Sequence, residues 1–248
     1  MLHGIGSSSR AFRHQLDSLS DAFDVIAWDA PGYGQSEDPS EPFTLADLAD
    51  RAVLLLDELG VQRAGVLGVS MGGVIAQLVY HRHPERVRCL ILCDTNAGGG
   101  ALPEPARSER VRERLYALER LGPRGMAEHR APVLVGPNAP PHLVLELTDI
   151  MAEVRPAGYG AAAVALGNAD LTEHLSAIRV PTLVIHGEYD RVVPPETGRR
   201  LAGSIPGAQL VIIAGAGHVS NQEQPAAFNA AVRQFDVSPL SSGTILWP

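Results

Sequence analysis

A serine at the centre of a short glycine-bounded motif is the strongest chemical signal in the chain. Residues 68–72 read Gly-Val-Ser-Met-Gly and place Ser70 between an apolar run and an apolar helical pattern. A serine held on a tight turn between a strand and a helix needs glycines two places on either side, where the backbone closes on itself. The pattern predicts a nucleophile elbow at Ser70. A plain turn containing glycine and serine is the alternative interpretation.

An aspartate and a histidine follow later, each just after another apolar run. Residues 186–190 end in Asp190, and residues 215–218 read Gly-Ala-Gly-His and end in His218. The order serine, aspartate, histidine, each at the carboxyl end of a predicted strand, is the order that serine catalysis uses on a sheet of this kind. A serine hydroxyl is a weak nucleophile, so we expect His218 to act as its general base and Asp190 to orient the imidazole. For Asp190 the alternative is an ordinary turn residue.

Two backbone N–H groups are candidates for stabilising an oxyanion. The turn at the serine aims the N–H of Met71, at the start of a predicted helix, towards the reacting carbonyl group. A second donor is expected from a loop near the start of the chain. Residues 3–6 read His-Gly-Ile-Gly and fit that loop, which predicts the N–H of Ile5 as the second donor.

Asp94 is the alternative acid for the site. It directly follows the apolar run at residues 87–93, so it also lies at the end of a predicted strand. We prefer Asp190 because Asp94 has no comparable motif around it. Capping of the loop that enters the next segment is the other role predicted for Asp94.

Short apolar runs alternate with helical patterns from residue 24 onward, which is typical of βαβ units and a mainly parallel sheet. Each run is nearly continuously apolar, as expected for strands that are covered on both faces. Helix 45–59 has capping-box spacing at Thr44 and Asp47 and stops at Gly60. The predicted strands are residues 25–28, 64–69, 87–93, 182–186 and 209–213, and the accompanying helices are residues 45–59, 74–80 and 226–235.

The strand pattern is interrupted between residue 97 and about residue 175. The predicted elements there are helices at residues 103–121, 125–130, 141–154 and 158–166. An insertion of this kind between two strands predicts a small helical cap over the sheet edge where ligands bind. We therefore expect an α/β core, doubly wound, formed by residues 1–96 and 167–236, a cap at residues 97–166 and a loose tail at residues 237–248.

Composition excludes several classes of function. The net charge of −8 gives no electrostatic reason to expect nucleic acid or an anionic membrane as a partner. All 20 basic residues are arginine, which excludes Schiff-base and P-loop lysines. Cys89 and Cys93 share one predicted strand, so their Cα atoms would lie about 13 Å apart at roughly 3.3 Å per residue, too far for a disulfide. The sequence shows neither a signal-peptide pattern nor a long apolar run, and the predicted location is the cytoplasm.

Five ordered motifs together resemble the α/β-hydrolase superfamily, and the resemblance extends from His3 to about Phe235. They are residues 3–6, 29–36, 68–72, 186–194 and 215–218. Within the superfamily, the short cap and residues 92–96, 155–159 and 218–225 are similar to 3-oxoadipate enol-lactonases. This resemblance implies hydrolysis of a small ester or lactone without a metal or cofactor. The start of the chain reads His-Gly where those lactonases carry Ser-Leu-Gly, so their substrate is not assigned.

Other functions fit the same residues. A carbon–carbon bond hydrolase or a cofactor-free perhydrolase would use the same serine, and a small-molecule binding protein on this scaffold is the alternative of another class. Apolar residues at 132–135 and 143–147 of the cap are able to line a pocket above Ser70. Four arginines interleaved with glutamates are able to bind a substrate carboxylate, although alternating charge is usually a solvated helix face. They are Arg107, Arg110, Arg112 and Arg114. Monomer and dimer both remain open.

The start of the chain departs from the superfamily pattern. Members carry further residues before the His-Gly motif, where this sequence has only Met1 and Leu2. The resemblance therefore implies that two strands and the body of a third are missing. Neighbouring strands would then lose a hydrogen-bonding partner and present exposed edges.

Overall fold

A parallel sheet forms the centre of the molecule. The computed structural model describes residues 1–39, 41–100 and 102–235, and the predicted tail at residues 237–248 lies outside the described residues. Within the described residues the sheet has four strands, all parallel, in the order β1-β2-β3-β4. They are β1 (Ala64–Val69), β2 (Val87–Cys93), β3 (Thr182–Gly187) and β4 (Gln209–Ile213). Four predicted strands are thus confirmed, with β3 ending one residue later than predicted.

Helices connect the strands and cover the sheet. Those of the core are α1 (Arg13–Leu19), α2 (Leu45–Glu58), α3 (Met71–Arg82), α7 (Pro195–Ser204), α8 (Ser220–Glu223) and α9 (Pro225–Gln234). Between β2 and β3 lie α4 (Glu104–Arg130), α5 (Pro141–Ala152) and α6 (Pro156–Asn168), named the cap helices below. None of the described helices is both long enough and apolar enough to cross a membrane.

The two faces of the sheet are buried in separate apolar clusters. Leu90 and Leu92 of β2 face a cluster built with α2 and α3. Ile91 and Cys93 of the same strand face the opposite cluster, built with α9 and the N-terminal segment. Successive side chains of a strand alternate between faces, so a strand that is apolar throughout must be covered on both. Cys89 lies on the same face as Cys93, and both cysteines are free, as their spacing predicted.

The prediction of a strand at residues 25–28 is wrong. This segment runs beside the first residues of the chain, where the Met1 ammonium group donates to the Ile26 carbonyl and the Trp28 N–H donates to the Met1 carbonyl (3.2 Å). On the other side of these first residues, Leu2 forms a single parallel bridge with Gly68 of β1. A strand needs a continuous ladder of backbone hydrogen bonds, and a two-residue partner provides too few. Trp28 is buried and the other three residues are half-buried, so the apolar pattern reflects partial burial and not strand pairing.

Helix α2 shows how local sequence sets an element's ends. The Thr44 hydroxyl accepts a hydrogen bond from the Asp47 N–H, and the Asp47 carboxylate accepts one from the Thr44 N–H, so the predicted capping box is confirmed. Gly60 follows the last turn with a φ of 69°, a left-handed conformation that costs glycine little. Helix α2 thus begins and ends within a residue of the predicted positions.

Helix α4 packs against both α5 and α6, and all three helices border the cavities beside Ser70. Helix α4 is interrupted at Gly122, whose φ of 67° is not helical, and Pro123 then begins the second half. This break agrees with the two helices predicted there. Ala127, Leu143 and Leu147 form a small apolar cluster with Val219, the residue after His218. The cap helices are therefore joined to the core beside the predicted histidine.

Candidate active site

Ser70 sits on a strained turn between β1 and α3. Its φ of 54° and ψ of −117° are unusual for a residue with a side chain. The Ser70 N–H donates to the Cys93 carbonyl (2.9 Å), and the Thr95 hydroxyl donates to the Ser70 carbonyl (2.6 Å). These two bonds hold the strained residue against the end of β2, so that its side chain projects from the sheet edge.

The glycines around Ser70 are required by close backbone contacts. A Cβ atom on Gly68 would lie 2.1 Å from the Gly72 carbonyl oxygen, and one on Gly72 would lie 2.0 Å from the Leu2 carbonyl oxygen. Neither backbone atom can move without shifting the turn. The glycine requirement inferred from the motif therefore has a direct steric cause.

Ser70, His218 and Asp190 are brought together although they lie far apart in the chain. The His218 Nε2 atom is 2.9 Å from the Ser70 Oγ atom, and the His218 Nδ1 atom is 2.8 Å from an Asp190 carboxylate oxygen. Asp190 and His218 are both buried. The backbone N–H of His218 also donates to the carbonyl of Leu134 (2.7 Å), a residue that follows the cap helix α4. This arrangement can pass a proton from the hydroxyl to the imidazole while the carboxylate holds the ring.

Both carboxylate oxygens of Asp190 have partners within the protein. One oxygen accepts the N–H groups of Val192 (2.8 Å) and Val193 (2.9 Å), and the other faces His218 and, at 3.3 Å, the Nε2 atom of His186. Burial alone would raise the pKa of Asp190, but the interactions with His186 and His218 outweigh it and hold the pKa well below its usual range. Asp190 is therefore a carboxylate throughout the range in which a histidine can act as a base.

Asp94 occupies a different place in the network. Its carboxylate accepts the N–H of Gly187 (2.8 Å), the N–H of Ser220 (3.0 Å) and the Ser220 hydroxyl (2.7 Å). The His218 Nδ1–H donates its hydrogen bond to Asp190 and not to Asp94. Burial raises the pKa of Asp94 to about 6. Asp94 thus ties the end of β2 to the loops that follow β3 and the histidine.

One group of three side chains has the composition of a metal site. Asp94, His186 and Asp190 offer ligand atoms within 4.8 Å of one another. However, each of the four carboxylate oxygens already accepts a hydrogen bond or faces an imidazole nitrogen, and the His186 Nε2 atom lies 2.7 Å from the Val193 carbonyl. The carboxylate oxygens and the His186 Nε2 atom therefore have protein partners, whereas the buried His186 Nδ1 atom lacks one among the described residues.

The loop at residues 3–6 runs directly beside Ser70. A Cβ atom on Gly4 would lie 3.2 Å from the Ser70 Cβ atom. The buried His3 ring fixes this loop, because its Nδ1–H donates to the Gly4 carbonyl (2.8 Å) and its Nε2 accepts the Ala30 N–H (3.0 Å). Burial lowers the pKa of His3 to about 4, so the ring stays neutral. Among the described residues no hydrogen-bond acceptor faces the Ile5 or Met71 N–H, the two predicted oxyanion donors.

Two cavities meet at the serine, and Ser70, Arg114 and Val192 line both of them. The first contains the loop at residues 3–6, His218, Arg130 and an apolar wall from the cap helices and the N-terminal segment. The second is bordered by polar groups that include Thr95, Asn96 and Arg110. The apolar wall of the first cavity consists of Ala11, Phe12, Leu134, Leu147, Ile150, Met151 and Val219.

Sequence reasoning left several residues of the site without a role. His186 was part of a predicted motif, and its position four residues before Asp190 was the available signal. Thr95 and Ser220 each follow a predicted site residue closely, but nothing in their types indicated contact with it. Arg130 carried no signal, because only the folding of α4 at Gly122 turns it towards the cavity.

Comparison with protein-family models matches residues 1–231 to the alpha/beta hydrolase family. The chain belongs to the alpha/beta hydrolase family. This agrees with the assignment made from the five motifs and with the predicted fold, and the protein is a hydrolase.

Relatives named for different activities match most of this hydrolase's length. 3-Oxoadipate enol-lactonase 2 of Acinetobacter baylyi is 32% identical over 231 residues, which cover 93% of this chain and 85% of the relative. 2-Hydroxymuconate semialdehyde hydrolase of Pseudomonas sp. strain CF600 is 32% identical over 251 residues, covering 95% of this chain and 85% of the relative. A thermophilic esterase from Thermogutta terrifontis, solved with malate bound, superposes with a TM-score of 0.87 at 32% identity, covering 94% and 86% of the two chains.

Proposed function

We propose that this hydrolase cleaves a small carboxylic ester or lactone through an acyl-enzyme formed on Ser70. The observation that carries the proposal is the continuous chain of contacts from the Ser70 hydroxyl through His218 to Asp190, at the point where two cavities meet. A relative named as an enol-lactonase and a structural neighbour named as an esterase support the same reaction class.

Acylation begins with attack of the Ser70 oxygen on the substrate carbonyl. The hydroxyl proton moves to the Nε2 atom of His218 as the new carbon–oxygen bond forms, and the carbonyl oxygen becomes an oxyanion. The N–H groups of Ile5 and Met71 donate to that oxyanion. When the intermediate collapses, the bond to the alkoxy group breaks, and His218 gives its proton to the departing oxygen. With a lactone, that oxygen remains attached to the acyl chain.

Deacylation repeats the same steps with water. His218 removes a proton from the water molecule as it attacks the acyl carbonyl, and then returns the proton to Ser70 as the acid departs. Asp190 stays ionised and stabilises the imidazolium in both halves of the reaction. Residues 97–166 act as a cap that closes the cavities from above, a proposal supported by the contact between Leu134 and the His218 backbone.

The first test is hydrolysis of p-nitrophenyl acetate and butyrate by the full chain and its Ser70→Ala variant. Loss of the nucleophile is expected to lower kcat/KM by about 10³-fold or more. Ser204→Ala is the matched control, because Ser204 is exposed at the end of α7, outside both cavities. Circular dichroism establishes that all three proteins are folded.

The outcomes separate the classes of function. Equal activity in the parent and in Ser70→Ala would overturn the serine mechanism. A folded parent that binds esters without turnover would identify a binding protein. Two other outcomes would change the assigned reaction. Faster release of a ketone or aldehyde fragment from a carbon–carbon substrate than of acid from an ester would assign carbon–carbon bond hydrolysis. Faster peracid formation with hydrogen peroxide would assign perhydrolysis.

A further inference from the structure

The arginines of helix α4 fall into two groups with different surroundings. Arg107 and Arg112 form ion pairs with Glu104 and Glu109, three residues earlier on the same helix. Arg110 and Arg114, four residues apart and therefore on one face, line the cavities beside Ser70. The first group therefore matches the solvated face of alternating charge that the sequence indicated, whereas the second, of which Arg110 is exposed and Arg114 half-buried, also borders the cavities.

Arg110, Arg114 and Arg130 are named the arginine cluster below, and Arg114 is its member with the position best suited to reach a substrate. It lines both cavities together with Ser70, and Arg130, from beyond the break at Gly122, lines the first cavity. Within the described parts of the chain, no acidic side chain forms an ion pair with Arg110, Arg114 or Arg130.

The electrostatics of the cluster favour an anion. Burial, with the neighbouring charges of Arg130 and Arg110, lowers the pKa of Arg114. Like charges held together at a half-buried site repel one another, and their guanidinium groups have lost part of their hydration. Among the described residues, neither Asp94 nor Asp190 forms an ion pair with these arginines.

We infer that the substrates of this hydrolase carry a free carboxylate, which Arg114, assisted by Arg130, binds a few atoms from the ester or lactone carbonyl. The inference rests on the proposed function, because it places the scissile bond at Ser70. A planar guanidinium matches the two oxygens of a carboxylate in a bidentate pair. Ser70 and Arg114 line the same two cavities, so that one ligand can contact both.

The test compares ethyl hydrogen glutarate with ethyl pentanoate, which has the same number of acyl carbons and no charge. The measured quantity is the ratio of their kcat/KM values, followed by proton release at constant pH. We expect the ratio to exceed about 10 in the parent and to fall about 10- to 100-fold in Arg114→Gln, as for loss of a hydrogen bond to a charged group. Arg114→Lys keeps the charge and should recover part of the ratio.

Arg112→Gln is the matched control. Arg112 lies on the same helix, is largely exposed and pairs with Glu109, so its removal should leave the ratio unchanged. An unchanged ratio in a folded Arg114→Gln variant would overturn the inference and leave the serine mechanism standing. A fall of equal size in Arg112→Gln would also overturn it, because the effect would then come from the general charge of α4.

Binding of glutarate to the Ser70→Ala variant, measured by calorimetry, separates this inference from the proposed function. Glutarate binding that is lost when Arg114→Gln is added would support the carboxylate site even if no ester were hydrolysed. Stronger binding of inorganic phosphate than of glutarate would overturn the carboxylate assignment in favour of a phosphorylated ligand. Absence of glutarate binding would count against the site whatever the esterase activity.

Discussion

The carboxyl-terminal edge of the sheet and the helices between β2 and β3 differ in whether their charged side chains have partners within the protein. At the sheet edge, every carboxylate oxygen of Asp94 and Asp190 accepts a hydrogen bond from the protein, and Ser70 is held by two hydrogen bonds of its own backbone groups. In α4, by contrast, Arg114 and Arg130 line the cavity without an acidic partner among the described residues. Under the two proposals, the partnered groups are held in place for chemistry, and the unpartnered arginines are available to a ligand.

The largest expected effect belongs to the sheet edge. Asp190→Asn should lower kcat/KM for p-nitrophenyl butyrate by about 10⁴-fold, because the amide cannot hold the His218 tautomer that accepts the serine proton. Asp94→Asn is the matched control, since Asp94 is equally buried but does not contact His218. A larger loss in Asp94→Asn than in Asp190→Asn would reverse the assignment of the acid.

A smaller effect is expected in the pH dependence of stability, through His3. Its folded pKa of about 4 lies below the unfolded value of 6.5, so the folded state binds fewer protons between these values and loses stability as the pH falls through that window. The shift corresponds to roughly 3 kcal/mol in full. The stability advantage of the parent over His3→Gln should therefore shrink between pH 7 and pH 4.5.

Urea unfolding of both proteins at several pH values measures that difference. Because only the difference between the two proteins is used, the titration of Asp94 and other shared groups cancels to first order. Parallel stability curves across the window would contradict the neutral, buried state of His3 in the folded protein.

The smallest effect should come from the contacts between the cap and the core. Arg10 and Glu153 form an ion pair that joins the N-terminal segment to the cap, with side chains 53% and 55% exposed. Exposed pairs contribute little, so Arg10→Gln should change the free energy of unfolding by less than about 1 kcal/mol. A loss above about 2 kcal/mol in a urea titration would show that the cap depends on its surface charges.

The sequence located the parts of the site and fold that depend on local backbone geometry. Ser70 could be located because its turn demands glycines at Gly68 and Gly72, and those demands are visible as residue types. The four strands of the sheet could be located because burial on both faces leaves an unbroken apolar run. Residues 25–28 show the limit of that signal, since partial burial without a pairing ladder also gives an apolar run.

The sequence alone did not indicate the direction in which individual side chains point. Arg112 and Arg114 are identical in type and only two residues apart, yet one pairs with Glu109 and the other faces the cavity. That difference depends on how α4 is rotated against the core, and for Arg130 on the change of direction at Gly122. Contacts across the fold, such as the hydrogen bond from the Ser220 hydroxyl to Asp94, likewise required the strand ends to be assembled first.

The hydrogen bond from the His218 backbone N–H to the Leu134 carbonyl joins the proposed general base to the segment between β2 and β3. Under the proposed mechanism, any movement of Leu134 away from the core would break this bond and release the backbone at His218. Access to the cavities and the position of the imidazole would then be mechanically coupled.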